Sequence, residues 1–430
     1  MTGRRPPFTK PILRLMLWGL ATALLAPPLA AQEPPATDEV GALRAEIEAL
    51  RADYEGRIAA LEGRLAQLEA GGATAAPPEL TGAAPYTGTY FNPSVSMIGN
   101  FVAVGGHAVG EDAASSAELR ESELGLQAII DPYARADFFL AFGEEGVEVE
   151  EGYATLTALP VGLLARVGRM RAGFGKVNTQ HADILPWVDQ PLPVVNLLGG
   201  DEGWIGTGVS VARLIPLGET FSELTLQAFR GDAEGLFEGS ERSDLAYNAH
   251  YRLFRDLTEA TNVDLGVSYG FGPNGVAEGT DTRLGGLDFA LRWKPLQTAR
   301  YRSLTVRGEL FRSHREQAGG GGDEEPDDDI DEPPVGEEPL ADADALGWFL
   351  AADYQLARRW TVGARYEWAE RADDADLRDT GEAALLTFRP SEFSLLRAEA
   401  RRRRFAEGDT ATELFLQLQF AMGAHGAHAF

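Results

Sequence analysis

The chain contains no cysteine, little lysine, six scattered histidines and, beyond residue 31, no run approaching 18 continuous apolar residues. Without cysteine the fold uses no disulfide, which is compatible with export into an oxidising compartment. Without a long apolar run no helix of the mature chain spans a bilayer, so the chain is soluble or crosses a membrane as strands. Basic charge is also scarce. Thirty-eight Lys and Arg stand against 66 Asp and Glu, for a net charge of -28. This excludes a nucleic-acid partner, because phosphate binding needs a basic face.

What is present begins with a leader. Arg4, Arg5, Lys10 and Arg14 precede a short apolar run from Leu15 to Ala26, then Pro27-Pro28 and Leu29-Ala30-Ala31. A basic head, a short apolar middle and a small-residue cut site predict a signal peptide over residues 1–31, and its loss takes the net charge to about -32. From Val40 onward Leu43, Ile47 and Leu50, then Tyr54, Ile58, Leu61, Leu65 and Leu68 step by three and four, with Glu and Arg on the other faces. This predicts a coiled-coil segment over 32–70, against the alternative of a lone amphipathic helix. Gly71-Gly72 and Pro77-Pro78 open a linker over 71–91.

From residue 92 the period changes from 3.5 to 2. In DLAYNAHYRLFRD, Leu245, Tyr247, Ala249, Tyr251 and Leu253 alternate with Ala246, Asn248, His250 and Arg252, and about sixteen such runs reach the C-terminus. Connections alternate between short turns, such as Asp131-Pro132 and Arg255-Asp256, and long polar loops, such as 173–203 and the acidic tract 316–345. Trp204, Trp293, Trp348, Trp360 and Trp368 lie near strand ends. Because lipid offers no partner to a backbone N–H or C=O, strands in it close on themselves. The expected fold class is therefore all-β, a transmembrane antiparallel β-barrel over 92–430 preceded by a short helical coiled coil.

Alternation sorts the side chains. It turns Arg135, Asp137, Arg252, Asp264, Asp288, Arg292, Arg307, Glu309, Asp353, Arg365, Glu367, Arg397, Glu399, Arg401 and Arg403 inward, a pore-lining set with nearly balanced charge that requires water inside. It also splits the block Arg401 to Arg404, leaving Arg402 and Arg404 outward at the head-group level. Gly266 to Gly270 (GVSYG) matches a nucleophile-elbow pattern but lies within a strand, and Gly270 to Gly275 (GFGPNG) is a loop without a following helix. The acidic tract reads as a solvated outer loop, weak divalent-cation binding being the alternative. His425 and His428 are too isolated to define a metal centre, and no cofactor is called for.

The chain ends on Phe430, which resembles the assembly signal by which bacterial outer-membrane barrels reach their insertion machinery. Strand number, loop asymmetry and N-terminal coil together resemble the sixteen-stranded trimeric porins of Gram-negative outer membranes. The resemblance implies a homotrimer in contact with lipid and lipopolysaccharide. It also implies a third outer loop folding inward as a constriction, here the segment from Gly173 to Gly203 carrying Lys176, Asp183, Asp189, Asp201 and Glu202. The function expected is passive diffusion of small hydrophilic solutes, with acidic outer loops drawing cations to the mouth. Two alternatives remain at this point. One is an envelope tether, with peptidoglycan as partner of the coil. The other is a barrel enzyme, for which only isolated His107 or His181 could serve a nucleophile.

Overall fold

A computed structural model describes residues 93–109, 117–120, 122–143, 146–276, 279–318 and 340–423. The leader, coil and linker, most of the acidic tract, His425, His428 and Phe430 lie outside the described residues. Sixteen antiparallel strands form one sheet. They are β1 (Ser94–His107), β2 (Ala117–Leu119 and Ser122–Asp131, one strand interrupted at 120–121), β3 (Ala134–Gly143), β4 (Gly146–Leu156), β5 (Leu163–Arg171), β6 (Ile205–Leu214), β7 (Phe221–Arg230) and β8 (Leu245–Thr258). The second half comprises β9 (Thr261–Pro273), β10 (Asp281–Trp293), β11 (Ser303–Ala318), β12 (Leu340–Ala357), β13 (Trp360–Glu370), β14 (Arg378–Ser391), β15 (Ser394–Arg404) and β16 (Thr410–Gly423). Each strand pairs with its sequence neighbours, and β1 closes on β16 from Ser96↔Gly423 to His107↔Thr412. Closure leaves no open edge, as a hydrocarbon surrounding requires.

The alternation read from the sequence is the alternation of faces. On β16 Ala411, Glu413, Phe415, Gln417 and Gln419 are buried, whereas Leu414, Leu416 and Leu418 between them are exposed. Facing residues in register share a side, so Leu265, Leu287 and Leu310 lie outward and Gly266, Asp288 and Glu309 inward. The outer surface is apolar from strand to strand: Phe101, Val209, Leu226, Val267, Leu287, Leu350, Leu386 and Leu416 are all exposed. Water would make such a belt costly, whereas lipid does not. Leu287→Arg, at the centre of β10, is expected to destabilise the barrel by about 2–4 kcal/mol in a bilayer. Urea unfolding in lipid vesicles measures this, and a change near zero would place Leu287 in water.

Three expectations need adjusting. The acidic tract is shorter than 316–345, because β11 runs to Ala318 and β12 starts at Leu340. The connection from β10 to β11, which the alternation of short turns and long loops makes a short turn, is the longer segment 294–302. Trp204 does not sit at a lipid interface. It is fully buried beneath Phe229 and Phe237, with ring centroids at 5.8 and 5.0 Å. Trp348 and Trp368 do face out as cross-strand partners, and Trp360, 42% exposed, packs on Phe388 at 4.6 Å.

Candidate functional site

The connection between β5 and β6, residues 172–204, folds into the barrel and supplies much of its apolar interior. Phe174, Leu185, Trp187, Val194, Leu197 and Trp204 form one buried cluster with Phe229, Phe311, Phe349 and Leu385 from the wall. Its root is fastened by Asn178, whose amide donates to the carbonyls of Ala172 (2.8 Å) and Trp204 (3.0 Å) and whose Oδ1 accepts from Trp204 N (2.8 Å). Gly175, at φ +65°, turns the chain against β11, where a Cβ would stand 2.5 Å from a Glu309 oxygen. Only glycine combines that dihedral with that approach. Glu309 then accepts the N–H groups of Lys176 (2.9 Å) and Val177 (2.8 Å), satisfying backbone donors that the loop carries indoors. Further along, α1 (Leu192–Leu197) lays Leu192, Val194 and Leu197 against β11 to β14.

Charge fixes the loop at two separate places on the wall. Lys176 Nζ lies 2.5 Å from Asp264 and 3.8 Å from Asp288, while burial pulls its ammonium below the usual lysine range. On the other side Asp189 accepts Arg365 Nη2 at 2.6 Å and Arg403 Nη2 at 2.7 Å, and Arg401 also pairs with it. Burial opposes the charge on Asp189, but these three guanidinium groups hold its carboxyl well below the ordinary range. Around this centre the wall satisfies loop backbone: Glu399 accepts Val188 N (2.8 Å), Glu367 accepts Leu192 N (3.2 Å), and Arg397 donates to the carbonyls of Leu185 (3.0 Å) and Trp187 (2.9 Å). Trp187 is itself covered by Arg365 and Arg307, 5.0 and 5.7 Å from its ring centroid.

A third anchor lies near β2 and β4. His181 Nδ1 is 2.7 Å from Glu123 and 2.9 Å from Glu150, and its Nε2 is 2.9 Å from Glu151. Two successive glutamates face inward here because Glu150 is a β-bulge: Phe139 pairs with Glu151 and Leu140 with Val149, which leaves Glu150 without an opposite residue. Arg171 pairs with Glu150, and its own N–H donates to Glu151 at 2.6 Å. The carboxylates raise the imidazole of His181 well above the usual histidine range, although burial alone would lower it. Burial and the nearby Glu123 push Asp183 up to about 7.

All fifteen wall residues that alternation assigns inward do face inward, but they meet two different environments. Arg365, Glu367, Arg397, Glu399 and Arg403 lie beneath the loop, buried and paired, so that part of the interior is charged without being wet. The sequence reading required water around every such charge; pairing with loop carboxylate and backbone replaces it. Arg135, Arg252 and Arg292 keep 50%, 32% and 39% of their side chains exposed, although Arg252 and Arg292 share Asp264 with Lys176 of the loop. Lys176, Asp183 and Asp189 all belong to the inward loop, whereas Asp201 and Glu202 are exposed near its exit. Asp189 touches the arginines directly rather than facing them across water.

Sequence reasoning missed Glu123, Glu150, Glu151 and Arg166, the last inward on β5 with its guanidinium 5.2 Å from the Tyr153 ring centroid. The doubled glutamate in VEVEEGY, which breaks strict alternation, was the available signal for the bulge. It also left Ser268 alone in its decoy motif, whereas the fold brings His250 Nδ1 to 2.8 Å from Ser268 Oγ. That pair is not poised for attack. Ser268 is 2% exposed, and its hydroxyl accepts Gly175 N at 3.0 Å, holding the start of the loop. Arg402 and Arg404 face outward, the latter 3.0 Å from Glu382.

No family model matches the chain. A protein of Aquifex aeolicus (strain VF5), itself described as uncharacterized, is 29% identical over 360 residues, covering 76% of this chain and 73% of that one. Three solved structures each align with 77% of this chain. They are an anion-selective porin from Comamonas acidovorans (TM-score 0.50, 14% identity, all of that chain), the outer membrane channel DcaP of Acinetobacter baumannii (0.50, 12%, 96%) and Pseudomonas putida OprB (0.53, 9%, 94%). The chain has the fold of the outer-membrane porins. At these identities the likeness to the porins reaches the fold alone, and the loop contacts above are features of this chain.

Proposed function

We propose that the protein is an outer-membrane porin, a passive diffusion channel for small hydrophilic solutes. The observation that carries this reading is the segment 172–204 folded inside a closed sixteen-strand barrel, which narrows the interior while leaving Arg135, Arg252 and Arg292 in contact with water. A structural anchor has no need of an exposed charged inner wall. The outward apolar belt supports residence in the outer membrane, and the heptads over 32–70 support a homotrimer with a periplasmic stalk. Insertion machinery, lipid and lipopolysaccharide are the partners that follow from such a location.

The wall supports an ion preference opposite to the one implied by the outer loops. Each of these three guanidinium groups covers a carboxylate side chain with no exposure: Arg135 lies on Asp137, and Arg252 and Arg292 on Asp264. A solute passing the wall therefore meets cationic groups first, at contact distance. The acidic loops act from further away, across salt that screens beyond about 8–10 Å. A planar-bilayer recording in a tenfold KCl gradient is expected to give stepwise conductance and a reversal potential of the anion-preferring sign. Absence of any conductance would remove the channel reading, and cation preference would remove the selectivity alone.

A further inference from the structure

The cluster around His181 holds a carboxylate that the protein leaves unused. Asp183 is 6% exposed and neither of its oxygens makes a hydrogen bond. It is nonetheless aimed at its neighbours: one of its oxygens, one of Glu123 and a ring nitrogen of His181 all lie within 4.8 Å of one another. A buried carboxylate with no donor is costly, and a cation at that point removes the cost. We infer that Glu123, His181 and Asp183 form a binding site for a first-row divalent metal ion, with Glu150, 2.9 Å from the same ring nitrogen as Glu123, as a fourth ligand.

The donor set points to the class of ion. One imidazole nitrogen with carboxylate oxygens suits zinc or manganese, whereas calcium and magnesium take shells of oxygen alone. Ligands bound tetrahedrally to one zinc at about 2.0–2.2 Å lie about 3.3–3.6 Å apart, so a group whose atoms lie within 4.8 Å of one another closes on an ion with side-chain shifts of about an ångström or less. An outer shell is already in place. Glu151 lies 2.9 Å from His181 Nε2, where it accepts the ring N–H and leaves Nδ1 to the metal, and Arg171 holds the other oxygen of Glu150. A carboxylate behind a ligating histidine fixes its tautomer and raises its basicity. Binding transfers the Nδ1 proton to solvent and places that lone pair on the ion, with no change of oxidation state. Because Glu123 is on β2, Glu150 on β4, and His181 and Asp183 on the inward loop, one ion would join the loop to two strands of the wall.

Titration of Zn2+ into the detergent-solubilised full-length protein, followed calorimetrically beside Ca2+ and Mg2+, tests this inference. The expected result is one Zn2+ per chain, bound at least about tenfold more tightly than Ca2+ or Mg2+. Asp183→Asn should weaken Zn2+ at least about tenfold while retaining the heat-modifiable gel migration of a folded barrel. If that variant does not fold, Glu123→Gln replaces it with the same expectation. A chain lacking 319–339 should bind Zn2+ as before. Zn2+ held no better than Ca2+, or uptake that survives Asp183→Asn and disappears with residues 319–339, would overturn the assignment. Since the readout is binding rather than conductance, its outcome is independent of the channel reading.

Discussion

Replacing residues 176–198 with a short glycine-serine bridge is expected to raise single-channel conductance several-fold. The loop reaches β2 and β4 through His181, β9 and β10 through Lys176, β11 through its backbone N–H groups, and β13 and β15 through Asp189. A sixteen-strand barrel is wider than its own wall side chains can fill, and among the described residues it is this segment that narrows it. Current through a pore depends on the cross-section left to water, and removing the segment returns that cross-section. The bridge removes Asn178 but retains the backbone bond at the root, where Ala172 N donates to Trp204 O at 2.9 Å, so the wall strands β5 and β6 keep their connection. Heat-modifiable migration checks that the barrel still closes. Unchanged conductance in a folded variant would mean that solutes pass along a route the loop does not restrict.

The strands were legible in the sequence because a two-sided sheet between lipid and interior imposes period 2 on the runs, and the about sixteen alternating runs correspond to sixteen strands. The same rule sorted Arg401 and Arg403 from Arg402 and Arg404, since side-chain direction in a strand follows from count alone. The site was much less legible. Residues 172–204 have no period, and their position depends on which wall groups they meet once the barrel has closed. Asp189 and Arg403 are far apart in the chain, and no local pattern brings them within 2.7 Å. Trp204 shows the limit well. An aromatic at a strand end reads as an interface anchor, yet here it is covered by Phe174 of the inward loop and by Phe237 of the connection between β7 and β8. The balance of inward charges could be counted, but not which were wet, because that depends on where the loop rests.

Arg365→Ala is expected to destabilise the protein by about 3–5 kcal/mol, a larger penalty than any surface ion pair would give. The Arg365 side chain has no exposure and serves three acids: Asp189 at 2.6 Å, Glu367 at 3.0 Å and Glu399 at 3.9 Å. It also donates to the Asp189 carbonyl at 3.2 Å and lies on the Trp187 ring. Truncation leaves those carboxylates where water cannot readily follow, and the cost is that of unpaired buried charge rather than of one lost contact. Arg404→Ala is the contrasting case. Its partner Glu382 is at 3.0 Å, but both side chains are more than 40% exposed, so the expected change is about 0–1 kcal/mol. Urea unfolding in detergent compares the two. The sign of the pH dependence also follows from Asp189. A carboxyl held below its unfolded value of about 3.9 contributes stability that is complete above that value and is lost as pH falls through the depressed folded one. The contribution of Asp189 to the stability of the intact protein should therefore be constant from pH 8 to 5. An Arg365→Ala penalty equal to that of Arg404→Ala would show that the centre of the loop contact is open to water, and that the loop is held by its apolar residues alone.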